Sequence, residues 1–156
     1  MVGPDIRLSS LLKEKYVELD LKEKDKKKVL AELVGFITAK GKIKDKKDIL
    51  SSLIKREKLG STGIGNGVAI PHTRSAKVKD FILAFGRQAN GIDFGALDGE
   101  KTYLFFVLIS PEANIGGHLK ILAEVSRLVK DKFIVDRLKA AQDKKEILKV
   151  ISTYER

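Results

Sequence analysis

The sequence contains no cysteine and no tryptophan, a single methionine and three prolines. Without cysteine there can be no disulfide framework, and zinc would lack the thiolate ligands it favours in structural sites. The compartment this points to is the cytoplasm. Long apolar runs are missing as well: none approaches the roughly 20 residues that cross a bilayer, so no membrane insertion is expected. The opening "MVGPDIRLSS" lacks the apolar core of a secretory signal. Aromatic residues make up only 6% of the chain, and none interleaves with the lysines as a base-stacking platform would require. A net charge of +10 therefore does not lead to nucleic acid. The lysines are mixed with acidic residues in "KEKDKKKVLAEL", "KIKDKKDIL" and "DKKEILK", the pattern of a solvated surface whose basic rim could steer an acidic protein partner.

What is present suits one domain spanning residues 1–156 around a single core, with 43% hydrophobic and 33% charged residues and no linker or repeat to divide it. "YVELDL" (Tyr16 to Leu21) alternates like a half-buried strand. Val29, Leu30, Leu33, Val34, Phe36 and Ile37 recur at helical spacing and stop at Gly41. Asp45 is a good cap for a second helix carrying Ile49, Leu50, Leu53 and Ile54, which should end near Gly60. "FILAFGR" (Phe81 to Arg87) and "TYLFFVLIS" (Thr102 to Ser110) are strands, the second apolar enough to be covered on both faces. From Gly116 onward the pattern is helical, with a further cap at Asp143. Helices flanking a largely buried sheet make an α/β sandwich.

The chemistry concentrates in "GSTGIGNGVAIPHTRS", Gly60 to Ser75. A phosphate-gripping P-loop needs Lys and then Ser or Thr after its last glycine, and here Val68 and Ala69 follow Gly67. A dinucleotide fingerprint needs a strand before the glycines and a long helix after them, whereas a helix precedes Gly60 and Pro71 interrupts the stretch after Gly67. The glycines then read as a flexible wall that brings backbone amides and the hydroxyls of Ser61 and Thr62, with Asn66, close to whatever His72 carries. His72 follows Pro71 and is expected at the end of a short strand, "VAI".

Taken alone, His72 is an ordinary surface histidine. His118, the second of only two histidines, falls at about 100° per residue in line with Leu122, Val125 and Val129, so it faces inward from a helix start, where the dipole favours a neutral ring. A satisfied core histidine would look the same. Arg56 sits at the edge of the apolar arc of its helix and Glu57 within it; either the helix frays before them or they turn toward a polar site. If Arg56, His72 and His118 converge, the chemistry they suit is phosphoryl transfer through a phosphohistidine: a neutral imidazole is a competent nucleophile near pH 7, and the planar guanidinium fork matches phosphate oxygens. A metal site is the competing use of two histidines and a carboxylate, but the chain offers neither HxxxH nor HExxH.

The stretches "REKLGSTGIGNGVAIPH", "GIDFGALDGEKTYLFFVLISPE" and "HLKILAEVSRLVKDKFIVDRLKAAQDKKEI" closely resemble, in order, the enzyme IIA domain of the fructose/mannitol type in the bacterial phosphoenolpyruvate-dependent sugar phosphotransferase system, including its nitrogen-regulatory branch. The resemblance runs from about Leu8 onward. It implies a mixed parallel and antiparallel sheet with helices on both faces, His72 of "IPH" as the phosphorylated residue, Arg56 of the "RE" pair as phosphate stabiliser, and His118 as the second active-site histidine. It implies, further, no metal or other cofactor, the small phosphocarrier HPr or a relative as donor, and a cysteine of a IIB protein as acceptor. Thr73 stands where the family often has glycine, and with no cysteine in the chain the IIB partner must be separate. The alternative within the resemblance is a regulatory protein whose phosphorylation state controls its binding to targets.

Overall fold

The computed structural model describes residues 6–41 and 43–155; the first half of "MVGPDIRLSS" lies outside them. Among the described residues six helices and six strands follow in the order α1 (Leu8–Leu11), β1 (Leu12–Glu18), α2 (Lys26–Thr38), α3 (Lys46–Leu59), β2 (Gly63–Gly65), β3 (Val68–Ala69), β4 (His72–Ser75), β5 (Ile82–Ile92), β6 (Thr102–Pro111), α4 (Ile115–Val129), α5 (Lys132–Ala140) and α6 (Lys144–Tyr154). The helices begin where the sequence has short acceptor side chains: Asp25, Asp45, Asn114, Asp131 and Asp143 each take a backbone N–H in the first turn of the adjoining helix, satisfying donors that no intrahelical carbonyl reaches. The shortest helix, α1, borrows its cap from the far end of the chain, where the Glu155 carboxylate accepts from the N–H groups of Leu8 and Ser9.

The strands form one sheet in the order β1-β5-β6-β3-β2, with β4 also pairing β6. β1 runs parallel to β5, β5 antiparallel to β6, and both β3 and β4 parallel to β6. In β5 and β6 consecutive residues from Ile82 to Phe85 and from Leu104 to Ser110 are buried. Because neighbouring side chains on a strand point to opposite faces, such a run requires cover on both. α2 and α3 pack together and contact β1, β5 and β4; α4, α5 and α6 pack in series and contact β6 and β1. The expected sandwich is therefore present. Arg87 ties a strand to a helix end, its guanidinium donating to the carbonyls of Leu138, Lys139 and Ala141 at the close of α5.

Two expectations about local structure differ from the observed fold. The first strand is Leu12–Glu18, earlier than "YVELDL", with an irregular register against β5 between Leu12 and Val17; Leu21 is buried beyond its end, its N–H donating to Arg87 O at 2.9 Å. The second difference concerns the glycine stretch. It is a β-hairpin, β2 paired antiparallel to β3, turned by Asn66 and Gly67 at φ 58° and 77°. Two successive positive φ values are the signature of a tight turn whose twist matches the flanking strands, and Asn-Gly is the pair best suited to it. The hairpin packs back on the sheet through Gly67, whose carbonyl accepts from the N–H groups of Tyr103 and Leu104.

Gly67 is thus needed both for its backbone and for its missing side chain, since a Cβ there would lie 3.2 Å from Tyr103 Cδ1. Gly67→Ala is expected to destabilise the protein by about 1–2 kcal/mol, the cost of an L-residue in the left-handed region. The readout is a lower midpoint with unchanged slope in denaturant unfolding.

Candidate active site

Pro71 decides where His72 sits. β3 and β4 follow the same edge of β6, and Leu108 N donates to Pro71 O at 3.0 Å, but proline has no N–H to give in return. The ladder is interrupted there, so His72 opens β4 instead of closing the preceding strand, in register with Leu108. Across the proline the His72 Nδ1 lies 2.6 Å from Ile70 O. A carbonyl oxygen only accepts, so Nδ1 is the protonated nitrogen and the neutral ring keeps its lone pair on Nε2.

α4 lies over β6 and places His118 above that strand. His118 is 6% exposed, and its ring centroid is 5.5 Å from that of His72 with the planes inclined at 52°. Two histidines far apart in sequence are therefore neighbours. His118 Nδ1 is 2.7 Å from the hydroxyl of Ser110 in β6, and Ser110 itself is fully buried.

α3 packs against β4 and sets the charges of the "RE" pair where both act on His72. Helix fraying is not observed: Glu57 lies inside α3, and Gly60 ends it. The two side chains brace the turn that leads into the hairpin. Arg56 Nη1 donates to Gly60 O at 2.9 Å. The Glu57 carboxylate, buried, accepts from the N–H and hydroxyl of Thr62 and pairs with Lys26 Nζ of α2 at 2.9 Å. Such a buried carboxylate is tolerated because its oxygens are occupied.

The charge distribution favours neutral imidazoles. Burial lowers the His72 pKa and the Arg56 guanidinium lowers it further, opposed by the hydrogen bond to Ile70 and by Glu57. Burial also takes His118 down to about 4, helped by His72 and by the guanidinium of Arg74. Uncharged at neutral pH and flanked by two cations, the ring pair is suited to nucleophilic attack on a phosphoryl group and to holding its negative charge afterwards.

The remaining expected residues occupy the hairpin and its approach, where their side chains serve the backbone. Ser61 Oγ donates to Phe94 O at 3.0 Å, Thr62 is bound to Glu57 as above, and the Asn66 amide reaches Val129 O at the end of α4. None of the three makes a hydrogen bond to either histidine among the described residues. Two residues that sequence reasoning missed do join the site. Arg74 shares the face of β4 with His72, two residues on, and donates to Glu112 O at 2.8 Å; strand alternation could have found it. Ser110 carries no such signal, because it is the packing of α4 on β6 that sets its hydroxyl against His118.

Comparison with known proteins identifies residues 10–154 with the family described as "Phosphoenolpyruvate-dependent sugar phosphotransferase system, EIIA 2". The chain is 31% identical, over 97% of its length, to the fructose-specific EIIABC component of the sugar phosphotransferase system of Bacillus subtilis, of which it spans 24%. It matches the crystal structure of nitrogen regulatory protein IIA-Ntr from Neisseria meningitidis with a TM-score of 0.86 and 33% identity, covering 92% of this chain and 98% of that one. The crystal structure of IIA mannitol from Escherichia coli is similar in fold, with a TM-score of 0.76 at 18% identity, covering 88% of this chain and 96% of that one.

The lowered His118 pKa has a definite consequence for stability. The unfolded ring takes up a proton near pH 6.5 and the folded one only near pH 4. Between those values the unfolded chain holds more protons, so the contribution of His118 to stability is full above pH 6.5 and is lost as the pH drops toward 4, by up to about 3 kcal/mol. Denaturant unfolding across that range should show the decline, and His118→Gln should reduce it to the part that the lowered His72 pKa contributes. In an NMR titration the His118 ring should remain neutral at pH 6; a midpoint at 6 or above would contradict the burial argument.

Proposed function

The chain belongs to the EIIA type 2 family of the phosphoenolpyruvate-dependent sugar phosphotransferase system, and on that premise we propose that His72 is a transient phosphoryl carrier between two partner proteins. The observation that carries this reading is the hydrogen bond from His72 Nδ1 to Ile70 O, which commits the ring to Nε2 as its nucleophilic atom. The Nε2 lone pair attacks the phosphorus of a phosphohistidine on HPr or a relative, in line with the nitrogen that leaves. The donor N–P bond breaks as the new one forms, and the donor ring, already protonated on its other nitrogen, departs with its electron pair as a neutral imidazole. His72 then bears phosphorus on Nε2 and hydrogen on Nδ1, and the positive ring is stabilised by the Ile70 carbonyl. No proton has to move. Arg56 grips the phosphoryl oxygens, and His118 hydrogen-bonds to them. In the onward step a cysteine thiolate of a IIB component attacks the phosphorus, the Nε2–P bond breaks, and the His72 ring leaves with its electron pair as a neutral imidazole.

The similarity to the fructose-specific component supports delivery to a IIB protein for uptake of a fructose/mannitol-class sugar. A second reading has support of equal weight, from the similarity to nitrogen regulatory IIA-Ntr. In it the chain accepts the same phosphoryl group on His72, and its phosphorylation state governs its grip on a target protein. Ser61, Thr62 and Asn66 shape the loop in either case.

Incubation with phosphoenolpyruvate, enzyme I and HPr is expected to label the chain, His72→Ala to abolish labelling, and Arg56→Ala to slow it by about 100-fold, the scale for loss of one group that stabilises transition-state charge. Undiminished labelling of His72→Ala would refute the assignment. The labelled chain then separates the two roles: rapid discharge to a IIB protein from the same genome supports uptake, whereas a partner retained only by one phosphorylation state supports regulation.

A further inference from the structure

The Ser110–His118 contact determines which nitrogen of His118 carries the proton. At 2.7 Å the hydroxyl and Nδ1 share one hydrogen, which either group could supply. The surroundings decide between them. Ser110 is fully buried in the central strand, and among the described residues its hydroxyl has no hydrogen-bond partner besides His118. Were Nδ1–H the donor, the hydroxyl's own hydrogen would be buried without an acceptor, a costly arrangement. The Ser110 O–H therefore donates, Nδ1 accepts, and the proton of neutral His118 resides on Nε2.

We propose that Ser110 is a positioning residue that sets His118 as an Nε2–H donor, complementary to the bare Nε2 of His72. The two rings then differ in kind. His72 is held by a carbonyl that can only accept and so exposes a lone pair; His118 is held by a hydroxyl that donates and so exposes an N–H. An N–H is what a phosphoryl oxygen requires, whereas a bare nitrogen in that place would repel it. Support of this sort from outside the ring is the usual way a histidine's tautomer and direction are fixed. Ser110 holds its place through the register that sets it beside Arg74, on a strand paired at the same time with β4 and β5, and it acts only through His118.

The inference rests on the phosphocarrier reading for its catalytic sense, and its first measurement is independent of that reading. Long-range proton–nitrogen correlation NMR of the intact, unphosphorylated chain at neutral pH should show a protonated Nε2 and a bare Nδ1 on His118, and the opposite tautomer on His72. Ser110→Ala should mix the His118 tautomers and slow phosphoryl transfer from phospho-HPr by about 10- to 100-fold, and Ser110→Thr, which retains the hydroxyl, should restore both. A protonated His118 Nδ1 in the unsubstituted chain overturns the proposal without any variant. So does a Ser110→Ala chain in which either the tautomer or the rate is unchanged. Failure of His72 to be phosphorylated at all would instead dispose of the carrier reading and leave the tautomer assignment standing.

Discussion

The hydrogen bond between His72 Nδ1 and Ile70 O is the constraint on which the rest of the site depends. It spans one residue, and that residue is proline. Pro71 fixes its own φ and biases Ile70 toward an extended backbone, so the carbonyl two positions back is delivered to the ring by the chain itself. A histidine in an ordinary strand would have two tautomers and a choice of rotamers. Here one nitrogen is committed, and the other keeps the lone pair that the proposed transfer requires. Pro71 also cannot donate to β6, which separates β3 from β4 and lets the backbone re-enter the sheet with His72 half-buried at the start of β4. One residue thus sets tautomer, direction and exposure.

Around that ring the fold solves a problem of charge. A site that holds a phosphoryl group, as proposed for this one, must be cationic, yet a nucleophilic imidazole must not be protonated. Arg56 from α3 and Arg74 from β4 meet both demands because they remain charged at any physiological pH, and the field that would attract the phosphoryl group also lowers the pKa of the two histidines. Burial acts in the same direction and is the larger effect on both rings. Glu57, one residue from Arg56, could undo this by stabilising the imidazolium. The carboxylate is engaged by Lys26 and Thr62, and its upward effect on His72 is smaller than the downward effects of burial and Arg56.

Much of this was legible in the sequence, and the boundary between what was and was not is physical. Helix caps are decided within four residues, which is why Asp45 and Asp143 were found where they act. The burial of β6 follows from its composition. His72, His118 and Arg56 could be suspected because polar residues at the margin of an apolar face need a reason to be there. The hairpin was also encoded, in the Asn66-Gly67 pair, but a series of glycines reads equally as a mobile loop unless the turn pair is weighed against the strands it joins. Ser110 lay beyond reach. A small hydroxyl inside an apolar strand is ordinary, and its partner is set by the packing of α4 on β6, which no local pattern records.

The hairpin alters the meaning of the glycines. A flexible wall would have to be ordered each time a phosphoryl group arrived, and the cost of that ordering would be subtracted from binding. Gly63 and Gly65 in β2, the tight turn at Asn66 and Gly67, and the tether from Gly67 O to β6 instead give a segment already folded. Glu57 fixes one end of it through Thr62, and Pro71 the other. Electrostatic stabilisation of a transferred group is most effective when the dipoles and charges around it do not need to reorient. The glycines contribute by allowing backbone to be packed tightly against β6 and the loop before it, so that the histidine at the end of the stretch is held by the sheet itself.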